Sequence, residues 1–272
     1  IDTGPPDGTI ITEAESVTLT ARVDDIETAV SALTVGWESS MDGPLGDTTA
    51  DSLGHAELTT MSLSPGFHEI TVTVTDTDGL SAVATQPLEI NQRPTSPNVS
   101  LAPVPATTTD DVFATIDVES IDPEGEPVTY SYEWRVDDAT SLVSTTEVLP
   151  SAATAKGQTW TIVITPSDGE TEGPSGSASL IIQNTPPTIA STTISPAEPL
   201  STDDLSCAAA GAVDPDGDEV AFAYSWTIDG VPVATPGATL AASMHSPGSI
   251  VGCTVTPSDD DADGEPVSAT SV

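Results

Sequence analysis

The sequence predicts an all-β protein built from three tandem antiparallel β-sandwiches. Three observations lead to this prediction. Short motifs recur every 91 to 93 positions, apolar and polar residues alternate in short runs, and no segment shows a convincing helical period. With 24 prolines and 20 glycines among 272 residues, the chain has the turn content of many short strands.

The repeat is clearest between the second and third parts of the chain. Four motifs of the second part return in the third. They are Asn91-Gln92-Arg93-Pro94 with Asn184-Thr185-Pro186-Pro187, Thr108–Asp111 with Ser201–Asp204, Ile121–Gly125 with Val213–Gly217, and Thr165–Asp168 with Thr256–Asp259. The first part is more divergent but keeps Trp37, the Pro65-Gly66 turn and Asp76, which lies 92 positions before Asp168. We therefore expect modules at 1–90, 91–183 and 184–272, joined by short, semi-rigid, proline-containing segments.

Two strands of each module stand out by their period of two. Alternation places every second side chain on one face of a half-buried strand. For the third strand these are Leu33, Val35 and Trp37; Val128, Tyr130, Tyr132 and Trp134; and Val220, Phe222, Tyr224 and Trp226. For the penultimate strand they are Ile70, Val72 and Val74; Trp160, Ile162 and Ile164; and Val251, Cys253 and Val255. These residues, the tryptophans included, are predicted to form the cores rather than to stack on ligands.

The two cysteines, Cys207 and Cys253, both fall in the third module. Two thiols in a chain rich in threonine, serine and strand patterns suit one disulfide and an oxidising compartment. Two buried free thiols are the alternative. A zinc site is not expected, because two cysteines and three scattered histidines offer no close ligand pairs.

The order Cys207, Trp226, Cys253 resembles the pattern of immunoglobulin-like domains. The tandem arrangement is similar to bacterial surface modules of the PKD, cadherin-like and Big types. The resemblance implies a disulfide that joins the two sheets and packs against Trp226. Modules one and two depart from it, since Ala114 and Ile162 stand at the cysteine positions of module two.

Acidic residues gather in two loops of modules two and three, and in one loop of module one, at Asp76 and Asp78. In an immunoglobulin-like sandwich these loops lie at the same end, near the asparagine that begins the module. Because calcium takes six to eight oxygen ligands, the layout predicts calcium at the joints, as in cadherin-like modules. The candidate ligands are Asn184, Asp214, Asp216, Asp218 and Asp259 at one joint, and Asn91, Asp122, Glu124 and Asp168 at the other. The alternative is that these are solvated acidic turns, since Asp, Gly and Pro are ordinary turn residues.

Charge excludes several classes of function. With 4 basic and 43 acidic residues, the net charge of -39 argues against nucleic acid and anionic membranes as partners. There is no apolar run long enough to span a membrane. His55, His68 and His245 are expected at the surface, and no nucleophile–base or phosphate-binding motif occurs, so the chain is not expected to be an enzyme.

The sequence therefore favours an extracellular or cell-surface structural and adhesive spacer, a segment of a longer chain whose partners are neighbouring modules. Two alternatives stay open. The modules could bind a protein or glycan ligand through their apical loops, or the chain could be the subunit of an extracellular filament that pairs with other copies through edge strands.

Overall fold

The computed structural model describes residues 2–13, 15–141, 143–234 and 237–272. Within these ranges the chain is almost wholly β, in several sheets, and its helical content consists of 3₁₀ turns at Val30–Ala32, Ser151–Ala153 and Ala242–Met244. The predicted fold class, all-β with tandem β-sandwich modules, is confirmed. No helix of the described part of the chain has the length and apolar character that a membrane span requires.

The first module consists of two sheets. Its strands are β1 (Asp2–Gly4), β2 (Ile10–Thr12), β3 (Val17–Arg22), β4 (Thr34–Ser39), β5 (Gly43–Thr49), β6 (His55–Thr60), β7 (Gly66–Thr75) and β8 (Ser81–Asn91). One sheet has the order β1-β3-β6 and the other β2-β8-β7-β4-β5. The first strand is thus divided between the sheets: β1 runs antiparallel to β3, whereas β2 runs parallel to β8.

Strand alternation builds the core of this module as predicted. In β7 every second residue, from His68 to Val74, is buried. Val35 and Trp37 of β4 lie opposite Val74 and Val72 in register, and all four side chains belong to one apolar cluster. The indole N–H of Trp37 donates to Thr48 Oγ1 at 2.9 Å, so the largest core residue leaves no polar atom unsatisfied.

The second module repeats the arrangement. Its strands are β9 (Asn98–Ala102), β10 (Ala106–Thr107), β11 (Val112–Val118), β12 (Thr129–Val136), β13 (Ala139–Ser141), β14 (Val148–Leu149), β15 (Thr159–Ser167) and β16 (Gly176–Gln183). The sheet orders are β14-β11-β9 and β10-β16-β15-β12-β13, with β10 parallel to β16. Trp134 and Trp160 are buried and meet edge to face, with ring centroids 6.5 Å apart.

The third module contains the disulfide. Its strands are β17 (Ser191–Ser195), β18 (Leu205–Ala210), β19 (Ala221–Ile228), β20 (Val231–Val233), β21 (Thr239–Leu240), β22 (Val251–Ser258) and β23 (Val267–Ser271). The sheets are β17-β18-β21 and β20-β19-β22-β23.

Cys207 of β18 is bonded to Cys253 of β22, so the bridge joins the two sheets across the core. Trp226 lies opposite Cys253 in register and belongs to the same buried cluster. The pairing implied by the resemblance is therefore present, and free thiols are excluded.

Residue contacts divide the chain into two compact units. One comprises Ile1–Val99, Ile116–Ser131 and Ile164–Gly176, and the other comprises Ser100–Thr115, Tyr132–Val163 and Ser177–Val272. Asn91 and the loops of 116–131 and 164–176 fall in the first unit, whereas Asn184 and the loops of the third module fall in the second. Each predicted joint thus lies inside one compact unit, and the module boundaries 1–90, 91–183 and 184–272 stay a prediction.

Two expectations for individual side chains are wrong. His68 is not at the surface but 3% exposed, because it lies on the inward-facing register of β7. Phe222, expected on a core face, is 37% exposed. It lies near the start of β19, opposite Pro257, where the strand has not yet reached the buried cluster around Trp226.

We expect the disulfide to set the stability of the third module. The bridge closes a loop of 46 positions. The chain-entropy model assigns such a loop about 4 kcal/mol of stabilisation. Replacing both cysteines, as in Cys207→Ala/Cys253→Ala, should lower one calorimetric transition and leave the transition of the cysteine-free first module in place. An equal shift of all transitions would contradict this expectation.

A second prediction concerns acid stability of the first module. The pKa of Asp42 is held below its ordinary value, first by the hydrogen bond from the Ser64 hydroxyl, and also by the Ser64 N–H and the charge of His68, against the effect of burial. A carboxyl whose folded-state pKa is depressed contributes stability at neutral pH and loses it as the pH falls through that pKa.

Asp42→Asn should therefore flatten the fall in melting temperature between about pH 5 and pH 2 relative to the unaltered chain. The matched control is Asp47→Asn, which removes an exposed carboxylate from β5. If Asp42→Asn and Asp47→Asn gave the same dependence of melting temperature on pH, the role assigned to Asp42 would be refuted.

Candidate functional site

The first joint is organised by a buried asparagine. Asn91 is the last residue of β8 and is 0% exposed. Its Nδ2 donates to Asp168 Oδ2 at 3.0 Å and to Thr171 Oγ1 at 3.1 Å. The asparagine thereby fixes the loop that follows β15 against the start of the second module.

A second loop, Asp122–Glu126, approaches the same place. Asp122 Oδ1 accepts the N–H groups of Glu124 and Glu126 at 3.0 and 3.1 Å, which closes a tight side-chain-capped turn. Glu124 Oε2 in turn accepts the N–H of Gln92 at 3.2 Å. Both acidic loops are therefore bonded to the two residues at which the chain enters the module.

Three buried oxygens of this cluster have no hydrogen-bond partner among the described residues. Asn91 Oδ1, Asp122 Oδ2 and Glu126 Oε2 are buried and accept no hydrogen bond from the described residues. Asp122 is only 4% exposed, so its second oxygen is shielded from solvent. One carboxylate oxygen from each of Asp122, Glu126 and Asp168 lies within 4.8 Å of the other two. Buried polar atoms are seldom left unpaired, so each such atom calls for an explanation.

The second joint repeats this chemistry. Asn184 Nδ2 donates to Asp259 Oδ2 at 2.9 Å, and Asp216 Oδ2 accepts the N–H of Thr185 at 2.7 Å. Asp214 Oδ1 accepts the N–H groups of Asp216 and Asp218. Three buried oxygens here, Asn184 Oδ1, Asp214 Oδ2 and Asp216 Oδ1, accept no hydrogen bond within the part of the chain that the structure describes. Oxygens of Asp214, Asp216 and Asp218 lie within 4.8 Å of one another.

The charges at the first joint oppose ionisation. Burial, together with four neighbouring carboxylates, raises the pKa of Glu126. Those carboxylates belong to Glu89, Asp122, Asp168 and Glu170. In the described part of the chain, no lysine, arginine or histidine forms an ion pair with this cluster. The cluster is an uncompensated concentration of negative charge.

Asp168 behaves differently, although it belongs to the same cluster. Its burial disfavours the charged form, but the N–H of Thr171 and the amide of Asn91 donate to it. These hydrogen bonds outweigh burial and hold the pKa of Asp168 below its ordinary value. The joint therefore keeps at least one carboxylate ionised at neutral pH.

At the second joint a basic residue pairs with the acidic loops. Lys156 Nζ is hydrogen-bonded to Asp218 and, at 2.7 Å, to Asp261. These hydrogen bonds raise the pKa of Lys156 well above its ordinary value, so the ammonium group stays charged. The ammonium group of Lys156, in the second module, thus contacts both acidic loops of the third.

The structure brings the predicted ligands together at two places. At the first joint Asn91, Asp122, Glu124 and Asp168 are joined by direct hydrogen bonds to the entering chain or to one another. Glu126 was outside the predicted ligand set, yet it supplies the third carboxylate of the group. Its alternation with Asp122 and Glu124 in the loop was the signal that could have included it.

At the second joint the group contains Asp214, Asp216 and Asp218, while Asp259 bonds Asn184 instead. Lys156 had no sequence signal, because it lies 62 positions from Asp218. Whether either group holds a metal stays a prediction.

Each of the three histidines contacts a residue in its own surroundings. Ser39 Oγ and His68 Nδ1 are hydrogen-bonded at 2.7 Å, and His68 Nε2 donates to the Ser64 carbonyl at 2.6 Å. Ser39 is only 1% exposed and also accepts the N–H groups of Met41 and Asp42. This pair caps a turn inside the first module, out of reach of solvent. His245 bonds the carbonyl of Asp203, and His55 lies 3.7 Å from Asp51.

No protein-family model and no curated protein matches the chain. Solved structures with a similar fold are themselves tandem modules. The fibronectin(III)-like modules of Clostridium thermocellum CbhA are 15% identical, with a TM-score of 0.31 over 67% of this chain and 94% of that one.

The FN1–FN3 domains of chicken CNTN1 are 14% identical, with a TM-score of 0.29 over 95% of this chain and 94% of that one. A two-domain fibronectin type III segment of chicken tenascin is 13% identical, with a TM-score of 0.36 over 65% of this chain and 97% of that one. At these identities the similarity concerns the fold alone. The finer assignment to PKD, cadherin-like or Big modules stays a prediction.

Two glycines give a test of how closely the joints are packed. A Cβ at Gly173 would lie 2.2 Å from the carbonyl oxygen of Pro94, and one at Gly264 would lie 1.9 Å from that of Pro187. Both contacts are with backbone, which cannot move aside as a side chain can. Gly173→Ala and Gly264→Ala should each cost about 1–3 kcal/mol in calorimetric stability. Ser177→Ala, at an exposed position of β16, serves as control. Unchanged melting in the glycine variants would show that the loops do not pack against the joints.

Proposed function

We propose that this chain is an extracellular structural spacer in which calcium bound at the joints stiffens the connection between modules. The observation that carries the proposal is the set of buried, unpartnered oxygens at both joints: Asn91 Oδ1, Asp122 Oδ2 and Glu126 Oε2 at the first, and Asn184 Oδ1, Asp214 Oδ2 and Asp216 Oδ1 at the second. A cation bound among them would give each oxygen a partner and would offset the repulsion between the carboxylates.

The chemistry of the donors favours calcium over other metals. All candidate ligands are carboxylate or amide oxygens, which suit hard cations, whereas zinc and copper sites use cysteine or histidine. At the first joint Asp122, Glu126 and Asp168 would supply the negative charge, and Asn91 the neutral carbonyl. The clusters are built from residues of two loops and the entering chain, so a bound ion would tie the joint to both loops.

A spacer also fits the rest of the chain. The tryptophans are buried in the cores, which leaves no aromatic platform of tryptophan for a sugar ligand among the described residues. One disulfide in the third module is compatible with an oxidising compartment. The net charge of -39 keeps such a surface hydrated and disfavours association with nucleic acid.

The test is calorimetric melting of the whole chain in calcium and in chelator. A ligand that binds only the folded state at a hundredfold excess over its Kd adds about 2.7 kcal/mol. We therefore expect millimolar calcium to raise at least one transition by several degrees, and magnesium to do so less, because magnesium demands a more regular, smaller coordination shell.

Variants locate the effect. Asp122→Asn and Asp168→Asn should reduce the calcium-dependent rise, whereas Asp47→Asn, which removes the same charge from an exposed position of β5, should not. In small-angle X-ray scattering, calcium should narrow the distribution of end-to-end distances of the unaltered chain. A chain that melts identically in calcium and in chelator would end the proposal.

A further inference from the structure

The two joints differ in where their positive charge comes from. At the second joint Lys156 reaches from the Ala155-Lys156-Gly157 turn before β15 to Asp218 in one acidic loop and to Asp261 in the other. Its side chain is 32% exposed, so the ammonium group lies partly shielded between the two loops. A further contact, between the hydroxyls of Thr108 and Thr185 at 2.8 Å, supports the same joint.

Among the described residues, the first joint has no ion pair of this kind. The turn before β7, which corresponds to the turn of Lys156, is Ser64-Pro65-Gly66 and contains no basic residue. The Ser64 hydroxyl and N–H instead bond Asp42 within the first module. Asn91 and Asp122 at this joint are 0% and 4% exposed, and each keeps an unpartnered oxygen. Arg93, two positions after Asn91, is exposed and forms no ion pair with these carboxylates in the described part of the chain, which leaves the buried oxygens of the first joint open to an ion from solution.

We propose that Lys156 is a built-in cation of the second joint that competes with calcium for Asp218. The two joints would therefore bind calcium at different calcium concentrations. This inference rests on the proposed function, because it assumes that calcium is the ion of the first joint. The first joint then depends on calcium, whereas the second is held by an ion pair when calcium is scarce.

The competition follows from the geometry of Asp218. One of its oxygens lies within 4.8 Å of oxygens of Asp214 and Asp216, and its carboxylate also accepts Lys156 Nζ. A divalent ion among these three carboxylates would lie within a few ångströms of the ammonium group. Like charges at that separation repel even in a polar environment. Lys156 must therefore leave Asp218, or calcium must bind without it.

The experiment measures calcium binding to the second joint alone. In the whole chain, Asp122→Asn removes the central carboxylate of the first joint, and isothermal titration then reports the remaining site at low salt. On this background Lys156→Met should bind calcium about tenfold more tightly than the chain that keeps Lys156, since a neutral side chain neither repels the ion nor occupies Asp218. Lys156→Arg keeps the charge and should bind as weakly as the lysine.

A matched control removes the same charge elsewhere. Arg135 is exposed on β12 and pairs with Glu133, and Arg135→Met should leave the affinity unchanged. If Arg135→Met raised the calcium affinity as much as Lys156→Met does, the effect would be one of net charge and the proposal would be overturned. Equal calcium affinities of the Lys156 and Lys156→Met chains would also overturn it.

In chelator, amide exchange at Thr185, whose N–H bonds Asp216, should be faster in Lys156→Met than in Lys156→Arg. Equal exchange would show that the lysine does not hold the joint. If neither the Lys156 chain nor the Lys156→Met chain bound calcium on the Asp122→Asn background, the competition would also be overturned. Calcium titration of the chain with Asp122 intact shows separately whether the proposed function has failed.

Discussion

The interaction on which the joints depend is the hydrogen bonding of acidic loops to the chain that enters each module. Asp168 and Asp259 bond the joint asparagines, and Glu124 and Asp216 accept the N–H group of the next residue. These bonds bring carboxylates together that would otherwise repel one another. Burial and this concentration of charge together raise the pKa of Glu126, and the same kind of charge at the second joint attracts Lys156.

The sandwiches make this concentration possible because they fix both loops to rigid strands. The loop of Asp168 follows β15, which is buried at every second residue from Trp160 to Pro166, and the loop of Asp259 follows the equally buried β22. Burial of one large apolar side chain contributes about 1.5–3 kcal/mol, so a few such residues per strand outweigh modest repulsion at its end. The apolar cores thus hold the charged ends in place.

The sequence was sufficient to predict the features that depend on local pattern or on repetition. Alternation predicted the buried faces around Trp37, Trp134 and Trp226, and the repeat located both acidic loops and the two asparagines. It could not predict what depends on side-chain reach across the fold. Lys156 was missed because its partners belong to another module. Glu126 takes the place of Glu124 in the carboxylate group, because Glu124 bonds the backbone of Gln92 while Glu126 turns towards Asp122 and Asp168.

His68 and Phe222 show the same limit on a smaller scale. A histidine beside a turn is expected at the surface, but the strand register places His68 inward, where Ser39 and the Ser64 carbonyl satisfy both ring nitrogens. Phe222 follows the alternation of its strand and is nevertheless exposed, because the core is shorter than the strand. Periodicity defines which side of a strand a residue takes, whereas the depth of the core decides whether that side is covered.

The single inter-sheet disulfide also makes the modules unequal under tension. If a pulling force unravels the chain, the 46-position loop between Cys207 and Cys253 cannot lengthen, since the bridge keeps its ends 6.4 Å apart at the Cα atoms. At about 3.3 Å per extended residue, the third module would give up roughly 150 Å less contour length than a cysteine-free module of similar size. Under such a force the first two modules would therefore lengthen further than the third.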